Sequence, residues 1–317
     1  LAIFVKGENA ISMTRYNLIT VLGPTAVGKT RFAAHLAAEI GGEVISADSR
    51  QVYRGMDIGT GKDYDDYLVE GKMIPVHLVD IVDPGYEYNV YEFQKDFIRI
   101  YNELTGRKKI PVLCGGSGLY LESVLKGYRL ISVPVNIERH QQLERMSDQQ
   151  LTEILASLKN LHNISDTGNR KRLIRAVEIS EYYSSHPEDS YTFPVLSSLI
   201  IGLRASRDFI RSGITARLKK RLEQGMVDEA RRLADNGLTL EKMSWYGLEY
   251  KYLALYLKGS MSRQDMFTKL NTAIHRYSKR QMTWYRKMER EGFVINWLDA
   301  SAPLEQNLET ARGWLNK

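Results

Sequence analysis

Gly23-Pro24-Thr25-Ala26-Val27-Gly28-Lys29-Thr30 matches the pattern G-x-x-x-x-G-K-[ST], and its neighbours supply the context this pattern needs. The apolar run at 18–22 predicts a strand over 17–22 entering the loop. Residues 31–40, with apolar side chains at 32, 36, 37 and 40 and a Gly41-Gly42 stop, predict a helix leaving it. Glycines let backbone N–H groups turn around an anion, and the helix N-terminus adds positive potential. Lys29 brings a point charge to phosphate oxygens, and the Thr30 hydroxyl is placed to hold Mg²⁺. The chain is therefore expected to bind a di- or triphosphate through Gly23, Pro24, Thr25, Ala26, Val27, Gly28, Lys29 and Thr30.

Working outward, strand-like and helix-like runs alternate through residue 130. Strands are expected at 43–47, 77–82 and 110–114, and helices at 90–104 and 119–125, which reads as a parallel α/β sheet. The pattern then changes. Residues 137–160 and 169–183 read as helices, followed by a loop at 184–194 that holds two prolines. A strand returns at 196–203, the chain is helical from 207, and a last strand is expected at 293–297. The predicted fold is α/β: a P-loop parallel-sheet core (16–132 and 196–317) with a helical insertion (133–195) and a helical C-terminal part.

At 317 residues and 43% hydrophobic content, the chain can bury a sizeable core. Its one cysteine, Cys114, excludes an internal disulfide and fits a reducing compartment. No apolar stretch reaches membrane-spanning length, and residues 1–12 lack a signal-peptide pattern. The natural start is expected at or near Met13, or else at Leu1 as a mis-translated alternative start codon, and a cytoplasmic monomer is expected. The net charge is +6, but residues 210–290 carry 18 Lys and Arg against 8 Asp and Glu, a local net of +10. Such a segment suits a polyanionic partner. A solvated basic surface explains the charge alone equally well.

Four further segments carry chemistry. Residues 46–60 read Ser-Ala-Asp-Ser-Arg-Gln-Val-Tyr-Arg-Gly-Met-Asp-Ile-Gly-Thr and follow the second strand, at the carboxyl end of the sheet where ligands bind in such folds. Asp48 there is a general base beside the phosphates, an outer Mg²⁺ carboxylate or a helix cap, with position favouring none. Gly115-Gly116-Ser117-Gly118 makes a second set of backbone donors with one hydroxyl, or else a plain tight turn, its place after a buried strand favouring the first. On residues 169–178, Leu173, Ile174 and Val177 are expected to pack inward while Lys171, Arg172 and Arg175 offer cations, for which a solvated face is the default reading. On residues 274–287, Ile274, Tyr277 and Trp284 recur with Leu270 and Met288 at core spacing. Arg276, Lys279, Arg280, Thr283 and Lys287 line another face, suited to a phosphate backbone or equally to a generic basic helix from the pattern alone.

Together these segments resemble one family, the tRNA dimethylallyltransferases (tRNA isopentenyltransferases) of bacterial type. G-P-T-A-x-G-K-T, A-D-S-x-Q-V-Y-R-G-M-D-I-G-T, G-G-[ST]-G-L-Y, R-L-I-R-A-x-E and R-Y-x-K-R-Q-x-T-W occur here in that order, and the likeness runs from about 16 to 300. It implies transfer of a dimethylallyl group from dimethylallyl diphosphate to N6 of the adenosine 3′ to the anticodon in tRNA, with Mg²⁺. Lys29 and Thr30 would grip diphosphate and metal, Asp48 would take the N6 proton, and Ser117 stands where the family has a threonine near the diphosphate bridge. Arg217 matches an arginine that reaches the diphosphate. Asp48, Ser49, Arg50, Gln51 and Ser117 match tRNA-contacting positions. So do Lys171, Arg172, Leu173, Ile174 and Arg175, and in the last segment His275, Arg276, Tyr277, Ser278, Lys279, Arg280, Gln281 and Met282.

The chain departs from the family's H-P-N-D at Asp166-Thr167-Gly168-Asn169, and from I-G-Y-[KR]-E at residues 245–252, Trp-Tyr-Gly-Leu-Glu-Tyr-Lys-Tyr. The family's arginine after Pro134 falls at Arg139 or His140. Two rivals are an adenylate isopentenyltransferase and a P-loop small-molecule kinase. The first needs neither basic helix, and the second leaves residues 46–60 unexplained. A non-catalytic RNA binder would not need Lys29, Thr30, Asp48 and Arg217 together.

Overall fold

In the computed structural model, which describes residues 15–158, 169–186 and 192–316, strand β1 (Leu18–Leu22) is buried throughout and feeds the phosphate loop, from which helix α1 (Lys29–Ile40) departs. Strand β2 (Glu43–Ser46) follows the Gly41-Gly42 stop. A small hairpin, β3 (Leu68–Val69) and β4 (Lys72–Met73), precedes β5 (Val76–His77). Helix α2 (Val90–Gly106), strand β6 (Pro111–Gly115) and helix α3 (Gly118–Leu125) come next. Helices α4 (Ile137–Glu144), α5 (Asp148–Leu158) and α6 (Arg170–Ser185) lead to β7 (Ser198–Arg204). The chain then runs through α7 (Arg207–Glu223), α8 (Met226–Asp235), α9 (Leu240–Met243), α10 (Leu248–Leu257) and the long α11 (Arg263–Arg290). Strand β8 (Asn296–Asp299) and helix α12 (Leu304–Leu315) close it.

Six strands form one sheet in the order β5-β2-β6-β1-β7-β8, with every neighbouring pair parallel. Parallel strands need crossover connections, which explains the helical alternation in the sequence. Ile19 and Val21 point into a cluster with Phe32 and Leu36 of α1 and Leu308 and Leu315 of α12. Leu18 and Leu22 occupy the opposite pleat positions and are equally buried. A second cluster joins α7, α8, α10 and α11 around Tyr250, Leu218, Met266 and Leu270. The carboxyl ends of β1, β2 and β6 lie side by side, with Leu22 opposite Gly115 and Ser46 opposite Cys114. The three loops that follow them therefore open on one edge.

The chain divides into two compact units, Arg129–Phe193 and the remainder. The sequence reading drew this segment at 133–195. The smaller unit is helical, with Leu143, Leu151, Leu155, Leu173, Ile174 and Val177 as its core. The start read at Met13 and the departure at 166–168 lie outside the described residues.

Three local expectations are corrected. The strand expected at 77–82 ends at His77, because Leu78 and Asp80 take left-handed φ values of 62° and 54° that extended chain cannot hold. The helix expected at 137–160 is two helices. Ser147 breaks it: Gln150 N donates to Ser147 Oγ at 3.3 Å and Ser147 N donates to Gln150 Oε1 at 2.9 Å, a capping box that opens α5. The last strand starts at Asn296 instead of 293, because Gly292 and Phe293 close α11 by bonding to Glu289 and Met288 carbonyls.

Candidate active site

Helix α1 begins without a side-chain cap and without an acidic residue in its first turn. Its first amides therefore lack the partner that Asn89, Ser206 and Ser262 give the starts of α2, α7 and α11. Ala26 and Gly28 take φ values of 64° and 74°, which fold the loop into a concave run of amides. Gly23 is required by space: a Cβ there would lie 2.5 Å from the Leu203 carbonyl oxygen. A strand, a concave loop and an uncapped helix thus form an anion cradle.

The cradle opens into a cavity of about 460 Å³, walled also by residues 46–51, the 59–67 loop, Gly115, Gly116 and parts of α7, α10 and α11. Lys29 donates from Nζ to the Pro24 carbonyl at 2.7 Å. Its amine is lowered to about 8, first by burial and then by Arg217 among its neighbours. Arg217, on α7, donates from Nη2 to Thr25 Oγ1 at 2.6 Å. Burial, and next the nearby Arg221, lower its guanidinium to about 10. Enclosure likewise raises the carboxyls of Asp66 and Glu249 on the cavity wall. The Cys114 thiol is pushed up to about 12 by burial, so this sulfur is a small core group.

Asp48 faces the same cavity, with Oδ1 accepting the Arg50 amide at 2.8 Å. It follows β2 and caps no helix. Ser117 precedes α3 and accepts the Ser49 amide at 3.3 Å on its hydroxyl, which links the second loop to the third. Gln281 of α11 holds the other side: Oε1 accepts the Thr25 amide at 2.9 Å and Nε2 donates to the Gly116 carbonyl at 2.9 Å. Tyr285, one turn further, donates to the Gly23 carbonyl at 3.0 Å. These bonds set the loop geometry before any ligand arrives.

Oxygen donors suited to a hard cation face the cavity from Thr30, Asp48, Asp63 and Asp66. Among the described residues no group of three or more His, Cys, Asp or Glu could hold a metal ion. A Mg²⁺ ion at Thr30 would accordingly complete its shell with phosphate oxygens and water, its usual mode beside phosphates.

The IPP transferase family model matches residues 51–288, and the Isopentenyl transferase model matches residues 16–79. The chain belongs to the IPP transferase family, the tRNA dimethylallyltransferases. A Bacteroides fragilis tRNA dimethylallyltransferase 2 is 57% identical over 94% of this chain and 97% of its own length. A Geotalea daltonii tRNA dimethylallyltransferase 1 is 54% identical over 92% and 94%. The crystal structure of full-length tRNA isopentenylpyrophosphate transferase from Bacillus halodurans matches with TM-score 0.69 at 31% identity, covering 94% of this chain and 95% of that one. A eukaryotic dimethylallyltransferase acting on tRNA shares the fold, with TM-score 0.76 at 22% identity over 94% and 79%.

The positions this family likeness assigned to tRNA fall into distinct surroundings. Ser49, Arg50, Gln51 and Tyr277 stand at the cavity, and Arg280 is exposed at its wall. Tyr277 was expected in the core. It faces the cavity instead, its hydroxyl raised to about 12 by burial and then by Asp48. Arg276 and Lys279 are exposed on α11, and Lys171 and Arg172 are exposed on α6 of the smaller unit. The side chains of Leu173, Ile174 and Ser278 are buried, turned inward by helical spacing, while Gln281 is buried and lines the cavity. Arg175 is tied to Glu178 at 2.9 Å and to the Val133 carbonyl at 2.7 Å. His275 is half-buried, its Nε2 3.5 Å from the Thr215 hydroxyl, and Met282 is half-buried. Of the two residues after Pro134, Arg139 forks onto Glu181 and His140 bonds Glu178.

Sequence reasoning missed several cavity residues. Arg221 and Glu249 line the wall, as does Trp245, which is 62% exposed. The segment 245–252, which departs from the family pattern, is cavity wall in large part. Arg221 had a signal: it stands one helical turn beyond Arg217.

Proposed function

We propose that this chain transfers the dimethylallyl group of dimethylallyl diphosphate to N6 of the adenosine 3′-adjacent to the anticodon of tRNA, releasing diphosphate. The observation that carries this reading is the convergence of the phosphate loop, Asp48 and Arg217 on one cavity. In the transfer, the bond between donor C1 and its oxygen breaks, and its electron pair leaves with diphosphate. N6 forms the new bond to C1, and its proton passes to the Asp48 carboxylate. Charge builds on the departing oxygens, so Lys29, Arg217 and the α1 amides act where stabilisation counts most. Thr30 would hold Mg²⁺, which when bound neutralises part of that charge. The carboxylate offsets the weak nucleophilicity of an aromatic amine.

The acceptor base must leave its stack to enter the cavity. Arg276, Lys279 and Arg280 carry exposed cations along α11, and Arg280 also reaches the cavity wall. They are suited to hold the RNA backbone while the base is extruded. We read the chain as a cytoplasmic monomer, with its single buried thiol in keeping with a reducing compartment. Among the described residues no helix is long and apolar enough to cross a membrane.

The decisive experiment incubates the pure protein with Mg²⁺, dimethylallyl diphosphate and unmodified bacterial tRNA, followed by nucleoside mass spectrometry. Prenylated adenosine in tRNA is the expected product. Prenylation of free AMP in preference to tRNA, or ATP phosphotransfer without prenylation, would overturn the reading.

A further inference from the structure

Arg217 and Arg221 stand one turn apart on α7, and both line the cavity. Arg217 is partnered by Thr25. Arg221 is only 5% exposed, yet its Nε and Nη2 have no hydrogen-bond partner. The nearest carboxylate oxygen to Nη2 is Asp63 Oδ2 at 3.6 Å, beyond hydrogen-bond range, on a side chain that is 52% exposed. Buried N–H donors on a charged group are costly to leave unmet.

Three features make these two donors a binding edge. Nε and Nη2 share one edge of the planar guanidinium, the edge that makes two parallel bonds to a pair of phosphate or carboxylate oxygens. Gly61, at φ 74°, packs closely against this guanidinium: a Cβ there would sit 1.7 Å from Arg221 Nη2. And the two guanidiniums repel, which helps depress Arg217. An anion placed against both would remove that repulsion.

We propose that the Nε/Nη2 edge of Arg221 binds oxygens of the donor's diphosphate, as a second guanidinium beside Arg217. This rests on the diphosphate reading of the cavity. An RNA phosphate has the same chemistry, but the geometry favours the donor. The edge is enclosed, on the helix that clasps the phosphate loop, whereas Arg276 and Lys279 offer exposed cations to a polymer.

The test titrates inorganic diphosphate, with Mg²⁺, into the wild-type chain and into Arg221→Gln and Arg221→Lys by calorimetry, with tRNA binding and ligand-free melting measured alongside. Arg221→Gln should weaken diphosphate about 10- to 100-fold, the worth of charge-assisted bonds. Arg221→Lys, which keeps the charge and loses the fork, should recover only part of this. Affinity for tRNA alone should stay within about twofold. Diphosphate affinity unchanged in a folded Arg221→Gln overturns the proposal and leaves the cavity reading intact. If Arg221→Gln does not fold, wild-type diphosphate affinity in Arg221→Lys overturns it equally. Unchanged diphosphate binding with weakened tRNA binding also overturns it and moves the edge to an RNA phosphate. A wild-type chain that fails to bind diphosphate at all overturns the cavity reading and this inference together.

Discussion

Arg217 donates to the hydroxyl of Thr25 at 2.6 Å, a bond between residues 192 positions apart that fixes α7 against the phosphate loop. The guanidinium is thereby positioned before the donor binds, and little ordering is left for the moment of binding. Arg217→Gln should lower kcat/KM for dimethylallyl diphosphate by roughly 10- to 100-fold, the worth of a charged hydrogen bond to an oxyanion. Thr25→Val removes only the clasp and should have a smaller effect. Steady-state kinetics in donor concentration at saturating tRNA separates the two, and equal losses would make the clasp the whole contribution.

Asp48 faces the cavity from the end of β2 and caps no helix. Asp48→Asn keeps its shape and its acceptor for the Arg50 amide while removing the base. The chemical step should slow roughly 10²–10⁴-fold, with donor and tRNA affinities preserved. Single-turnover kinetics at saturating substrates measures this, and a rate within a few-fold of wild type would exclude the base role.

Lys29 gives a pH dependence whose sign can be worked out. Its amine is depressed to about 8 in the free site, and a bound diphosphate raises it by Coulomb attraction. Below pH 8 the amine is protonated in both states, so its contribution to affinity is flat. Above pH 8 binding must take up a proton. Diphosphate affinity should then fall with rising pH, by up to about tenfold per unit until the pKa of the complex is reached. The ratio of wild type to Lys29→Met cancels the ligand's own ionisation, so the pH profile of that ratio is the measurement. A ratio flat from pH 7 to 10 contradicts the assignment.

Glu229 on α8 is 3% exposed and accepts four bonds: from the amides of Asp57, Ile58 and Gly59 at 2.8–2.9 Å and from the Tyr250 hydroxyl at 2.7 Å. It pins the Met56–Thr60 turn, part of the cavity wall, to the helical half of the chain. Glu229→Ala strands those donors and should destabilise the fold by about 3–5 kcal/mol, the scale for removing one member of a buried charged network. Urea denaturation reports it, and a loss under about 1 kcal/mol would mean water replaces the carboxylate.

What the sequence disclosed was local. The loop at 23–30, its strand and its helix are contiguous, so spacing alone identified them. The parallel sheet followed from alternation. Glu229 and Arg221 escaped because the groups they face lie far away in sequence, and so did the clasp made by Gln281, which was read only as a tRNA contact: it meets Thr25 across 256 positions. Tyr277 was misread for a related reason. Its helical spacing matched the core stripe, but the cavity interrupts that stripe, and Ser278, Gln281 and Tyr285 are the residues buried there. Leu78 and Asp80 ended a strand through left-handed backbone without glycine, which composition does not reveal; Asp80 instead pairs with the buried Lys62. The Ser147–Gln150 box was legible and went unread.

The α11 cations offer the test of the RNA path. Arg276, Lys279 and Arg280 are exposed, on a helix whose opposite face carries Leu270, Ile274 and Tyr285 into the interior. Their neutralisation therefore leaves the core untouched. Arg276→Gln, Lys279→Gln and Arg280→Gln combined should weaken tRNA binding and flatten the slope of log K against log salt by about 0.7 per lost phosphate contact. Inorganic diphosphate should bind as before, because the cradle amides, Lys29 and Arg217 remain. Arg280 alone also stands at the cavity, its guanidinium 5.8 Å from the Tyr277 ring centroid. Arg280→Gln by itself should thus cost catalytic rate as well as tRNA affinity, whereas Arg276→Gln and Lys279→Gln should cost affinity only. Fluorescence anisotropy across a salt series, paired with single-turnover rates, separates these. A triple variant with unaltered affinity and slope would make the helix a solvated surface and send the tRNA elsewhere.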